Sequence, residues 1–146
     1  MQEVGPVADA DNVTQFKDNN WAVVFEEKHV IWVRYQDDDT ITLSAEVGPL
    51  PNKDVQEFST FLLVFNSLSQ HQRSVRTGLD SEKGNCLIMM DYFADSLEVN
   101  QLAQLLAAFG AQYLHWKQLL FAWPETQNKA SLIESIPLAN PNFIRA

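Results

Sequence analysis

The stretch "AEVGPLPNKDVQEFSTFLLVFNSLS", Ala45 to Ser69, decides the fold, because the hydrophobic period changes inside it. Its start closes a strand. In "TITLSAEVG" (40–48), Ile41, Leu43, Ala45 and Val47 alternate with Thr42, Ser44 and Glu46. A period of two with one apolar side marks a half-buried antiparallel strand. Pro49 and Pro51 then stop it, since proline has no N–H to give to a ladder. From about Lys53 to Leu68 the period is helical. At about 100° per residue, Val55, Phe58, Phe61, Leu62, Phe65 and Leu68 gather on one broad face, which is expected to pack on the sheet. Leu63 and Val64 lie off that face, Leu63 almost opposite its centre. A helix laid on one sheet needs one apolar stripe, so these two residues call for a second cover. Fully burying a Leu or Val contributes roughly 1.5–3 kcal/mol, and leaving both bare also invites aggregation. The cover is either the chain's own C-terminal extension or a second copy packed helix on helix about a twofold axis, a common solution in small homodimers. The second copy is the expected one, with Leu63 and Val64 in the dimer interface.

Working outward, "WAVVFEE" (21–27) and "HVIWVRYQ" (29–36) read as two further strands, rich in β-branched and aromatic residues with short polar turns between. In the second, Ile31, Val33 and Tyr35 form one set and Val30, Trp32 and Arg34 the other. Both sets are substantially apolar, so Trp32 is covered either by a partner or by the chain's own first helix. That helix is a weak pattern: Val7, Ala10, Val13 and Phe16 recur at about helical spacing after Gly5-Pro6, and "KDNN" ends it. Downstream, "RSVRTGLD" (73–80) and "CLIMMDYF" (86–93) read as a hairpin around the polar turn "SEKGN". A long helix follows, with Asp95 as N-cap and Glu98 completing a capping box. It keeps one stripe throughout: Leu102, Leu105, Leu106, Phe109, Tyr113, Trp116 and Leu120. After Trp123 come three further prolines and no sustained period. The expected class is α+β, an antiparallel sheet of about five strands with helices on one face, in the order α-β-β-β-α-β-β-α. Residues 1–121 form the domain and 122–146 a C-terminal tail.

Composition narrows the functions. The chain has 146 residues, 46% hydrophobic, with nine Phe, enough for one globular domain with a real core. No apolar run reaches membrane-spanning length, and "MQEVGPVADADN" lacks the basic and apolar regions of a leader, so no membrane insertion is expected. The single cysteine, Cys86, lies in "CLIMM" and reads as a small packed hydrophobe. One cysteine excludes a disulfide framework and agrees with a reducing cytoplasm, which makes the sequon Asn12-Val13-Thr14 a chance match. A net charge of −9 argues against nucleic acid, whose phosphates need clustered Lys and Arg. It suits solubility or a basic partner.

Chemistry finds no support. His29, His71 and His115 lack metal-ligand spacing, and one cysteine builds no thiolate site. Asp37 to Asp39 lack the Gly and distal Glu of a calcium loop and read as a turn between strands. "GPLPNK" lacks the second Gly and the Lys-Ser/Thr pair of a phosphate loop, and there is no serine elbow. Glu26-Glu27 is a common pair that the sequence cannot set across a cleft. The expectation is a binding protein with no catalytic residues, metal or cofactor.

"AEVGPLPNKDVQEFSTFLLVFNSLS" followed by "RTGLDSEKGNCLIMMDYF" resembles the class I type III secretion chaperones of the Tir-chaperone (CesT) family. The match rests on a strand ending in Gly48 before Leu50-Pro51, and on a helix carrying Leu62-Leu63 and Asn66. Gly78-Leu79-Asp80, a turn with Gly84, an apolar strand and a last helix with Trp116 complete it. It covers roughly residues 15–121. The chain departs from the family at its start, where a longer Leu-rich helix is usual. The resemblance implies a cytoplasmic homodimer that holds the N-terminal segment of a secreted effector in extended form, without catalysis. An extended peptide can add hydrogen bonds at a sheet edge while its side chains enter apolar patches. Val7, Val30 and Trp32 are the candidate effector-binding residues on that reading. A regulatory protein-binding module on the same fold, and a small enzyme or ligand-binding domain with a pocket between long helix and sheet, are the alternatives.

Overall fold

In the computed structural model, which describes residues 1, 3–25, 29–69, 75–80, 84–95, 97–125 and 131, the chain begins with a one-turn helix, α1 (Val4–Val7). Four strands follow: β1 (Asn12–Lys17), β2 (Asn20–Val24), β3 (Val30–Tyr35) and β4 (Thr40–Pro49). Then come α2 (Val55–Ser69), β5 (Arg76–Leu79), β6 (Asn85–Phe93), α3 (Val99–Ala122) and a 3-10 turn (Trp123–Glu125). The strands form one six-stranded antiparallel sheet in the order β1-β2-β3-β4-β6-β5. The class is α+β, as expected.

The departure is at the N-terminus, and it makes six strands of the expected five. Only Val4–Val7 coil, and Asn12–Lys17 pair antiparallel with β2, Val13 opposite Val23 and Gln15 opposite Trp21. Asn, Val and Thr at 12–14 are weak helix formers, and β-branching suits them to a strand. The amide of Gln15 donates to the carbonyls of Lys17 and Asp18 and braces the Asp18-Asn19 turn. α1 lies close on β1 because Gly5 has no side chain. A Cβ there would stand 2.8 Å from Val13 Cγ2.

The chain divides into two compact units, Met1–Ala45 with Met89–Ala111, and Glu46–Ile88 with Gln112–Ala146. In the first, Val23, Ile31, Val33, Ile41, Leu43 and Ala45 are buried, as are Leu102, Leu105, Leu106 and Phe109 along α3. The alternation of β4 and the helical stripe of α3 are therefore as expected. Asp39 takes a left-handed conformation (φ 57), and Gln36 N–H donates to Thr40 C=O, closing a three-residue hairpin loop. The acidic triplet thus sits in a turn. The cap of α3 lies three residues later than expected. Leu102 N–H donates to Glu98 C=O, and the Gln101 side chain accepts from Glu98 N–H, so Glu98 rather than Asp95 takes the N-cap place.

In the second unit, the inner face of α2 meets an aromatic cluster as well as the sheet. Phe65 stands edge-on to Trp116 at 4.9 Å, and Phe61 stacks on Trp116 at 6.0 Å and on Trp123 at 5.0 Å. Phe58 meets Trp123 edge-on at 4.9 Å. Offset and edge-on aromatic pairs add about 0.5–1.5 kcal/mol each beyond area burial. Val55 and Leu68, at the two ends of the expected inner face, remain 40% and 73% exposed. β4 ends where Gly48 takes a φ of +148 and passes close to Leu120, with a Cβ there 3.4 Å from its Cδ2. His71, Glu26, Glu27, residues 81–83 and most of the expected tail lie outside the described residues.

Candidate partner-binding surfaces

Leu63 is 71% exposed and Val64 51% exposed, on the side of α2 away from the aromatic cluster. With Thr60 and Ser67, also exposed, they make a stripe at i, i+3, i+4 and i+7 centred opposite Phe58 and Leu62. The small residues in that stripe would let another helix approach closely. From Phe58 to Ser69 the helix carries no charged residue. In a chain of net charge −9, an exposed helix without charge is a surface that can be taken out of water at little electrostatic cost.

The second surface is on the first unit. β3 turns Ile31 and Val33 inward and leaves Val30 half-buried and Trp32 43% exposed on the opposite, open face. Trp32 stands across from Ala22 on β2 and Ser44 on β4, two small residues that leave room for its ring. Phe16 of β1, 61% exposed, lies 5.2 Å from Trp32 and tilted against it. Ala22 is buried although it sits on this open face, between Thr14 and Trp32. The helix expected to cover Trp32 does not exist as such. Phe16, missed as a site residue because its segment reads as helical, is the ring beside it. The legible signal was "NVTQFK" followed by the turn pair "DN". Val7 is 51% exposed but belongs to α1, whose Gly5 lies against Val13, on the face opposite to Trp32. Of the three candidate effector-binding residues, Val30 and Trp32 therefore share a surface and Val7 does not join them. Toward β4 the open face turns polar, with Gln36, Thr42 and Asp91 linked by hydrogen bonds of 2.6 and 2.8 Å, while β6 places half-buried Met89 and exposed Phe93 on the same side as Asp91.

Cys86, Tyr92, Tyr35 and Asn66 serve the fold. Burial pushes the Cys86 thiol up to about 12, so it stays protonated and packs as an apolar group. Burial likewise pushes the Tyr92 phenol up to about 12. Tyr35 donates to Asp39 in the β3–β4 turn, and this hydrogen bond raises its pKa. Asn66 of α2 clamps β5: its Nδ2 donates to Thr77 C=O at 2.9 Å, and its Oδ1 accepts from Thr77 N–H at 2.8 Å. No group of His, Cys, Asp and Glu among the described residues is arranged to hold a metal ion. Among the same residues, no helix is long and apolar enough to cross a membrane.

A chain of the HopA1–SchA chaperone–effector complex matches this fold with a TM-score of 0.62 at 13% identity, over 80% of this chain and 88% of that one. A chain of the ExsC–ExsE complex matches with a TM-score of 0.62 at 15% identity, over 82% and 91%. The Yersinia pestis type III secretion chaperone SycH, in complex with a stable fragment of YscM2, matches with a TM-score of 0.58 at 16% identity, over 77% and 92%. At such identities the likeness is one of fold. A sequence search of curated proteins returned no match. The model of the Tir chaperone protein (CesT) family matches residues 8–117. Fold, order of elements and that match agree, and the chain belongs to the Tir chaperone protein (CesT) family.

Proposed function

We propose that this protein is a type III secretion chaperone, a cytoplasmic homodimer that holds the N-terminal region of an effector in extended form and keeps it soluble and competent for export. The observation that carries the reading is the pairing of two exposed apolar surfaces with different owners. The uncharged outer stripe of α2, with Leu63 71% exposed, suits a second copy of the same helix, since a twofold axis sets like against like. The Phe16–Trp32 shelf on the open sheet face suits the side chains of an unfolded partner. Family membership and the neighbours, which include chaperone–effector complexes, support the same role. Holding a chain extended requires surface and no bond chemistry, so no catalytic group is assigned.

The test has two arms. Light scattering on the purified chain reads the dimer directly. Tagged protein recovered from its own cells, with bound partners identified by mass spectrometry, reads the cargo. The reading expects a dimer and one or a few exported proteins held through their N-terminal regions. A stable monomer together with partners that are never exported would overturn it.

A further inference from the structure

α3 is nearly without charge. Between Val99 and Ala122 the one residue among Asp, Glu, Lys and Arg is Lys117, and its ammonium lies over the Tyr113 ring, 5.6 Å from the centroid. Tyr113, Trp116 and Leu120 are buried, whereas Leu114, Gln118 and Phe121, at i, i+4 and i+7, are exposed along another side. Lys117, drawn toward Tyr113, leans away from that line. Phe121 is 87% exposed, more than any other large apolar residue among those described. A helix face that ends in a bare ring and presents no charge calls for a cover.

The chain itself continues from this place. Glu125 closes the 3-10 turn after α3, and residues 126–146 follow. Within them "SLIESIP" (131–137) has a helical period. On a helix Leu132, Ile133 and Ile136 gather within about 100°, with Ser131, Glu134 and Ser135 opposite, and Pro137 stops the turn. Ser131 is helical. The reach suffices: the stretch from Glu125 to Leu132 spans up to about 24 Å, while Leu114 and Phe121 stand about 10 Å apart along the axis.

A second copy is the weaker occupant. The outer stripe of α2 already suits a twofold contact, and a further self-complementary face on each protomer would link dimers to one another. A tethered segment also competes at an effective concentration of about millimolar, which a separate chain does not reach in dilute solution.

We propose that the C-terminal segment folds back and seats Leu132, Ile133 and Ile136 on the Leu114–Phe121 face of its own α3. Two apolar surfaces that would each stand in water cover one another, and the segment is a built-in cover rather than a loose tail. This contact needs no cargo and holds whichever partner the protein escorts.

The full chain, with labelled Leu and Ile methyls, is observed by nuclear magnetic resonance. Contacts are expected between the Phe121 ring and the methyls of Leu132, Ile133 or Ile136, and within one copy when labelled and unlabelled protein are mixed. Amides of residues 131–136 should exchange about tenfold or more slowly than in a free peptide of residues 126–146. Phe121→Ser, at an exposed position, should return them to the peptide rate. Ile133→Ser with Ile136→Ser tests the same contact from the other side and leaves the domain untouched; the Phe121 ring signals should shift on that change. Methyl contacts to Leu63 or Val64 instead, contacts between copies only, peptide rates in the full chain, protection that survives Phe121→Ser, or unmoved Phe121 signals in the double variant would each overturn the proposal.

Discussion

Asn66 shows how much one side chain can do. Thr77 is the buried polar residue of the described core, 6% exposed, and its main-chain N–H and C=O both depend on Asn66. Its hydroxyl also donates to Asn66 Oδ1 at 3.1 Å. Asn66→Ala removes the partners and leaves buried polar groups unmet, so it should cost about 2–3 kcal/mol, read from urea unfolding. Cys86 and Tyr92 give a pH dependence. Their folded pKa values, both about 12, lie above the ordinary 9.0 and 10.0, so the folded state holds these protons more tightly than the unfolded one. The stabilisation is complete below pH 9 and is lost as pH rises toward 12. For Cys86 the full loss is on the order of 4 kcal/mol. Urea midpoints measured from about pH 8 to about 11 should fall, and in Cys86→Ala the fall should be shallower and begin later. The burial of Cys86 was legible from its apolar neighbours. The clamp was not, because its partners lie eleven positions apart and no local pattern joins them.

At the scale of the element, α2 has two opposed apolar stripes, and only one is filled within the chain. Phe58 and Leu62 are buried, whereas Leu63 and Val64 are not. Leu63→Asp places a charge at the centre of the proposed helix–helix contact, where it would be desolvated without a partner. It should convert the dimer to a monomer, or to insoluble protein, in size exclusion with light scattering. A soluble, unaltered dimer would remove Leu63 from the interface. Both stripes were readable from spacing alone, as were β4 and the buried face of α3. β1 was not. Val7, Ala10, Val13 and Phe16 mimic helical spacing, yet the local preference of Asn12, Val13 and Thr14 and the turn at Asp18-Asn19 win. The strand sends Val13 and Phe16 to opposite faces, so the period that suggested a helix never operates. The second apolar side of β3 was legible at Trp32, but its neighbour Phe16 was not, because the two meet only when Asn12–Lys17 is a strand.

At the scale of the whole molecule, the division into a domain of residues 1–121 and a tail of 122–146 is a proposal that Trp123 makes testable. Trp123 is 1% exposed and touches both Phe58 and Phe61. A chain ending after Phe121 should lose about 3–5 kcal/mol, the usual cost of deleting a large buried aromatic side chain. A chain ending after Glu125 should retain that part of the stability. Equal stability of the two truncations would show that the aromatic cluster closes without Trp123. The class, and the family that goes with it, were legible because they depend on the order of periods along the chain. The packing of Trp123 was not, because it stands in the 3-10 turn after α3, where the stripe stops and prolines begin.

The unequal borders of the sheet bear on self-assembly. A fibre that grows strand upon strand needs two receptive rims on every molecule, one to accept and one to offer. Asn66 takes the N–H and C=O of Thr77 at the β5 border, whereas β1, paired with β2 on one side, is the receptive rim among the described residues. Two lone protomers joined at β1 would leave each other nothing further to offer. A dimer paired through α2 would instead carry two such rims, one from each copy, so it could chain unless β1 is covered.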